Sequence, residues 1–292
     1  YEGDTAGVTV TLDGSNNTTG RGGDAEGDVI NGFEGIIGGS GDDSLTLKGI
    51  NPGSNDRADP DAKTAPFILR GGAGDDTLTV SNGSGSQDIL SGGLGNDLLK
   101  ANIWNDTLYG GGGADTLSGG EGHDILSGGI GADLLRGQMH QDTLYGGTGD
   151  DTLYGNRDND QVFGGQGNDQ VYGGLGDDLV FGNRGDDVLF GNIGDDVLAG
   201  GEDDDQLAGG EGIDRFVFEV NSGQDVVTDF DVAAGEVIDL AALGLGNDFA
   251  SFAASSITDH GDGNALVDLG GGNVITLIGV QADDLQAANF LL

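Results

Sequence analysis

The chain has 292 residues, with 51 acidic against 10 basic, 62 glycines, three prolines and no cysteine. A formal charge of −41 repels nucleic acid and anionic membranes, so neither is an expected partner, whereas cations are. There is no apolar run of about 18 residues that would span a membrane, and zero cysteine excludes a disulfide framework.

High charge with abundant glycine usually marks disorder. Here 35% of the residues are hydrophobic, and they recur at fixed spacing. In chain order, GVTVTL at Gly7–Leu12 alternates as a strand does. GDVINGFEGIIGG follows at Gly27–Gly39, with Glu34 at position six of an irregular nine-residue copy. The first regular copy is GGSGDDSLT, Gly38–Thr46. The segment Leu47–Arg70 holds all three prolines and four of the ten basic residues. It interrupts the repeats and is expected to be a surface excursion, with ligand binding the less favoured role. A second copy, GGAGDDTLT, spans Gly71–Thr79.

From Gly83 to Val217 fifteen copies run without a gap. Position six is aspartate in all fifteen, from Asp88 to Asp214, and position eight is always apolar, from Leu90 to Phe216. Positions one to six read as turn material, and seven to nine as β-formers with the middle residue facing inward. Two such strands facing each other make a coil of eighteen residues. Coils stacked at the usual strand spacing of about 4.8 Å give roughly 7.5 coils over about 36 Å. One inward side chain per short strand is a thin core. Stacking also brings the position-six carboxylates of equivalent turns into register, where they repel unless a cation intervenes. Carboxylates and turn carbonyls suit Ca²⁺, which takes six to eight oxygens. Zinc is disfavoured, since there is no cysteine and the three histidines stand singly in sequence.

This pattern, G-G-x-G-x-D-x-U-x, resembles the calcium-binding RTX (repeats-in-toxin, hemolysin-type) repeat. The resemblance covers nearly the whole chain. It implies an all-β fold: a right-handed parallel β-roll, or β-solenoid, with a C-terminal β cap. It also implies several Ca²⁺ ions, held between turn n and turn n+2 on each side. The candidate metal ligands are Asp43, Asp76, Asp97, Asp115, Asp124, Asp133, Asp151, Asp169, Asp178, Asp187, Asp196, Asp205 and Asp214.

Imperfect copies qualify that expectation. Position four departs from glycine at Ser86, Trp104, His140, Asp158 and Asp203. The first four fall in odd copies, which line one side of the roll, so fewer or distorted calcium sites are expected there. Asp88, Asp106, Asp142 and Asp160 are accordingly not among the candidates. Trp104, Met139, His140 and Arg157 would gather on that side, as drift at tolerant turns in preference to a docking patch.

The resemblance divides the chain into an entry segment with the first repeat (1–46), the insertion (47–70), the roll (71–217) and a cap with a secretion signal (218–292). After Val217 the nine-residue period stops. DRFVFEVNSGQDVVTDFDVAAGEVIDL, Asp214–Leu240, is similar to the cap that follows RTX arrays, with Val227 for isoleucine and Glu236 for aspartate. Such a cap covers an otherwise unpaired edge. ALVDLGGGNVITLIGV, Ala265–Val280, reads as a hairpin of the same cap. No lysine or arginine occurs from Phe216 to Leu292, and the chain closes with NFLL, a tail similar to the uncleaved signal of type I secretion. The resemblance thus implies a secreted, extracellular chain, in contact with type I secretion machinery and then with calcium.

The sequence contains no H-E-x-x-H, no G-x-S-x-G and no run of clustered histidines. The reading is therefore non-enzymatic: part of an adhesin, surface-layer or matrix protein. The alternative is the folding and secretion module of an enzyme such as a protease, lipase or alginate epimerase, with its catalytic domain upstream. The start at Tyr1 instead of methionine reads as a piece of a longer protein. Contact with a polysaccharide or cell surface is a third expectation; an anionic polymer would need calcium bridges.

Overall fold

The computed structural model describes residues 7, 9–13, 19–21, 35–48, 67–81, 87–245 and 248–292. Glu34, most of the insertion (49–66) and the start of the first gapless copy (82–86) lie outside them. The chain forms two compact units, Tyr1–Gly147 and Thr148–Leu292. Each is a stack of parallel strands in two sheets, and the fold is a parallel β-solenoid of about nine turns.

Each copy makes one strand and one tight turn. The strands are longer than the three β-formers suggest. Val188–Ile193, VLFGNI, takes positions seven to nine of one copy and the first three of the next. Those glycine-rich positions stay extended because the neighbouring coil pairs with them: Asn192 stands opposite Gly210, and Ile193 opposite Glu211. Inward positions then alternate between an apolar side chain and the position-one glycine.

Copies n and n+2 pair in parallel and successive copies fall in opposite sheets, which gives the eighteen-residue coil. In the first unit one sheet runs Thr9–Asp13, Ser44–Lys48, Thr77–Ser81, Leu98–Lys100, Thr116–Glu121 and Leu134–Met139. The other runs Gly35–Gly39, Ile68–Ala73, Ile89–Leu94, Thr107–Gly112 and Ile125–Ile130. In the second unit Gln170–Leu175 pairs with Val188–Ile193, and Leu179–Arg184 with Val197–Glu202. The insertion contributes to the roll at both ends. Leu47 and Leu69 are buried, and Ile68–Ala73 is a strand, because the coil register captures any flanking residues that alternate correctly.

The core is one column of position-eight side chains per sheet. Leu90, Leu108 and Leu126 line one sheet of the first unit, and Leu99, Leu117 and Leu135 the other, all fully buried. Val171, Leu189 and Leu207 do the same in the second unit.

The cap changes geometry within the second unit. Asn273–Leu277 continues one sheet in parallel beside Gln224–Val227 and pairs antiparallel with Ala265–Gly270, which in turn pairs antiparallel with Ile257–Asp259. The hairpin expected from the sequence is therefore present. A short helix, Phe249–Ser256, was not expected from the sequence. Asp248 caps it by accepting the Ser251 N–H, and Phe249 and Phe252 pack on Phe290 with ring centroids 5.4 and 5.6 Å apart. The closing strand Phe290–Leu291 pairs with Val237–Asp239. The Asn289 side chain donates to the Glu236 carbonyl at 3.0 Å.

Candidate metal centre

The turn between two strands places position five outward and position six inward. Every position-six aspartate from Asp76 to Asp214 in the repeats is buried. Its Oδ1 accepts the backbone N–H of the equivalent aspartate one coil earlier. In the first unit one row links Asp43, Asp76, Asp97, Asp115 and Asp133, at 2.6–2.8 Å. The other links Asp88, Asp106, Asp124 and Asp142, at 2.7–2.8 Å. In the second unit one row links Asp151, Asp169, Asp187, Asp205 and Asp225, at 2.7–3.1 Å. The other links Asp160, Asp178, Asp196 and Asp214, at 2.7–2.9 Å.

All thirteen candidate aspartates therefore stand in these rows. So do four that the sequence reading omitted: Asp88, Asp106, Asp142 and Asp160. Position four does not interrupt the rows, because the turn holds its positive φ with other residues there: 84° at Trp104, 74° at His140, 68° at Asp158 and 81° at Asp203. Asp225 was missed as well. It lies twenty residues after Asp205, out of the period, and only the coil shows that it continues the row. Two carboxylates use Oδ2 locally: Asp43, whose Oδ2 accepts the Gly39 N–H at 2.6 Å, and Asp106. The Asp106 copy begins with Ala101 in place of glycine, and its Oδ2 is within 3.5 Å of the Asn102 N–H.

The second carboxylate oxygen is the unusual one. Oδ2 of Asp97, Asp115 and Asp124 is buried without a hydrogen-bond partner, and so is that of Asp169, Asp178, Asp187, Asp196, Asp205 and Asp214. Each points at the glycine that opens its own copy. A Cβ on Gly173 would stand 2.5 Å from Asp178 Oδ2 and 2.9 Å from the Gly191 carbonyl oxygen, so only glycine leaves room.

Burial therefore acts strongly on these acids. Loss of hydration pushes Asp169, Asp178, Asp187 and Asp196 up to about 7; the N–H bond to Oδ1 opposes this, and neighbouring carboxylates add to it. Asp205 is pushed to about 8 by burial, reinforced by Asp225. Glu236, buried where the next coil would carry its aspartate, also reaches about 8, first through burial and then through Asp214, Asp229 and Asp231.

Position five builds a second ladder that the sequence reading overlooked. Asp177 Oδ1 accepts the Asp195 N–H at 3.0 Å, and Asp186 accepts from Asp204 at 3.1 Å. This ladder points to the following coil; the buried one points to the preceding coil. Two adjacent turn N–H groups are thus satisfied by side chains from opposite sides.

A buried charged oxygen with no donor is costly, and a hard divalent ion relieves that cost. No group of three or more His, Cys, Asp or Glu side chains converges among the described residues, so carboxylates alone do not complete a cage. The donor set is one carboxylate oxygen per turn with backbone carbonyls in the same region, such as Gly191 O, which with Asp178 Oδ2 crowds the Cβ position of Gly173. That chemistry fits Ca²⁺, which would be held by the position-six Oδ2 atoms and turn carbonyls and would keep these carboxylates ionised.

Comparison with known proteins agrees with this geometry. The model of the RTX calcium-binding nonapeptide repeat (four copies) matches residues 68–99, 105–135, 137–171, 145–180, 172–207 and 181–216. A search of curated proteins returned no match. Among solved structures, the chain is similar to the AlgE6R3 subunit of the Azotobacter vinelandii mannuronan C5-epimerase. The identity is 29%, over 50% of this chain and 80% of that one, with a TM-score of 0.34. It is also similar to the extracellular lipase LipA of Serratia marcescens, at 18% identity over 78% of this chain and 45% of that one, with a TM-score of 0.28. The chain thus spans less than half of the lipase's length. RTX repeats bind Ca²⁺, and proteins that carry them are typically secreted. With its nonapeptide register, its parallel β-roll and its rows of buried aspartates, the chain carries an array of RTX calcium-binding nonapeptide repeats.

Proposed function

We propose that this chain is a calcium-dependent folding module of a secreted, non-enzymatic protein, exported unfolded and ordered by external Ca²⁺. The observation that carries the reading is the set of buried Oδ2 atoms without a donor. At low calcium they oppose folding; with calcium they become ligands. Each site adds about 1.4 kcal/mol when free Ca²⁺ is tenfold above its Kd. Extracellular calcium modules bind at about 10⁻⁴–10⁻³ M, far above cytosolic calcium.

The basic-free stretch from Phe216 to Leu292 supports type I secretion as the export route. Phe290 is buried and Phe290–Leu291 is paired as a strand in the folded cap, so this segment is more open to export machinery before folding than after it. Among the described residues no helix is long and apolar enough to cross a membrane.

The test is far-ultraviolet circular dichroism of the purified chain at pH 7.5, in millimolar calcium and then in excess chelator. The sheet signal is expected to collapse with chelator and to return with calcium. An identical, equally heat-resistant sheet in both buffers rejects the reading.

A further inference from the structure

Two of the chain's three histidines, His123 and His140, meet in the Tyr1–Gly147 unit. They lie seventeen residues apart in sequence, at position five of one turn and position four of the next turn on that side. Their ring centroids are 5.9 Å apart, with the planes tilted by 46°. Both rings are exposed. His123 Nδ1 lies 3.0 Å from the Gln141 carbonyl oxygen. A carbonyl only accepts, so Nδ1 carries the proton and Nε2 keeps a lone pair. A ring nitrogen donating to a backbone carbonyl is the usual second contact of a metal-bound imidazole.

Two further observations point the same way. A nitrogen–metal distance of about 2.0–2.1 Å puts two imidazoles on one ion with centroids roughly 5–6.5 Å apart. The observed spacing falls inside that range. Asp124 borders the pair, within electrostatic range of both rings.

We propose that His123 and His140 form a site for one borderline divalent transition-metal cation, of the zinc, nickel or copper(II) class, distinct from the oxygen-lined calcium rows. Imidazole nitrogen suits these ions and not Ca²⁺. No third His, Cys, Asp or Glu joins the pair among the described residues, so water completes the coordination.

The test is calorimetric titration of zinc chloride into the full chain held in saturating calcium, with histidine ring signals followed by NMR. One zinc ion per chain is expected, shifting the rings of His123 and His140. H123Q and H140G should each weaken binding by at least about tenfold. H140G places the repeat's usual glycine at the left-handed position, so it keeps the turn, and circular dichroism verifies folding of both variants. H260Q, which alters the histidine bonded to Asp262, should bind as the parent does. The site is rejected if the calcium-loaded chain shows no saturable zinc binding, if binding survives both substitutions, or if H260Q abolishes it.

Discussion

Asp177 and Asp178 are neighbours in one turn, chemically identical and both hydrogen-bonded to backbone N–H groups of adjacent coils, yet they live in different solvents. Asp177 is exposed and bonds forward to Asp195; Asp178 is buried and is bonded from behind by Asp160. The exposed acid keeps its hydration. The buried one has spent one oxygen on the ladder and has no donor for the other. Direction and burial, not residue type, therefore separate a structural acid from a metal-ready one.

The comparison breaks most severely through the core that enforces burial. Leu189→Ala removes a fully buried side chain from a one-residue-thick column and should cost about 2–5 kcal/mol, read as a lower denaturation midpoint in calcium. Asp178→Ala comes next. It strands the Asp160 N–H and removes an oxygen ligand, so a loss of about 1–3 kcal/mol is expected, with weaker calcium dependence. Asp177→Ala should cost well under that, about 0.5 kcal/mol, because water replaces the lost acceptor. Equal losses in these two variants would remove the distinction. Asp178→Asn sharpens it: the amide oxygen can still accept the Asp160 N–H, so apparent calcium affinity should fall while the denaturation midpoint in saturating calcium drops less than in Asp178→Ala.

The pH response separates the two rows with a smaller effect. In chelator, the buried aspartates titrate near 7 when folded and near 3.8 when unfolded. The folded chain then binds more protons between these values. Stability is full below about 4 and declines as pH rises through about 7. In chelator the sheet signal lost at pH 7.5 should therefore return as the pH is lowered toward 5. In calcium the slope should reverse over the same range, because ligands must be deprotonated to hold the ion. A chelated chain whose sheet signal is the same from pH 8 to pH 5 would show that the buried row is not desolvated as described.

Much of this was legible because the period is strict. Position eight marked the core column, and the offset of eighteen residues marked the coil. Other features were not legible for specific reasons. Position-two and position-three residues read as turn, yet Asn192 and Ile193 are strand, since pairing with the next coil outweighs local glycine preference. Asp225 lies off the nine-residue count, so only the ladder bond from Asp205 reveals it. Position four departs from glycine at Trp104 and His140, yet both hold a positive φ, at 84° and 74°, and their aspartates keep the ladder. The helix Phe249–Ser256 is short and rests on aromatic packing against Phe290, a contact made across some forty residues.

By itself, the order of residues determined that this chain coils, how long a coil is, which side chains fill it and that its turns are acidic, because each of those follows from a nine-residue period repeated in register. Tertiary structure alone decided which oxygen of each aspartate is occupied, which is left without a donor, and that His123 stands against His140. These depend on the coil above and the coil below, and no single repeat contains its own neighbours.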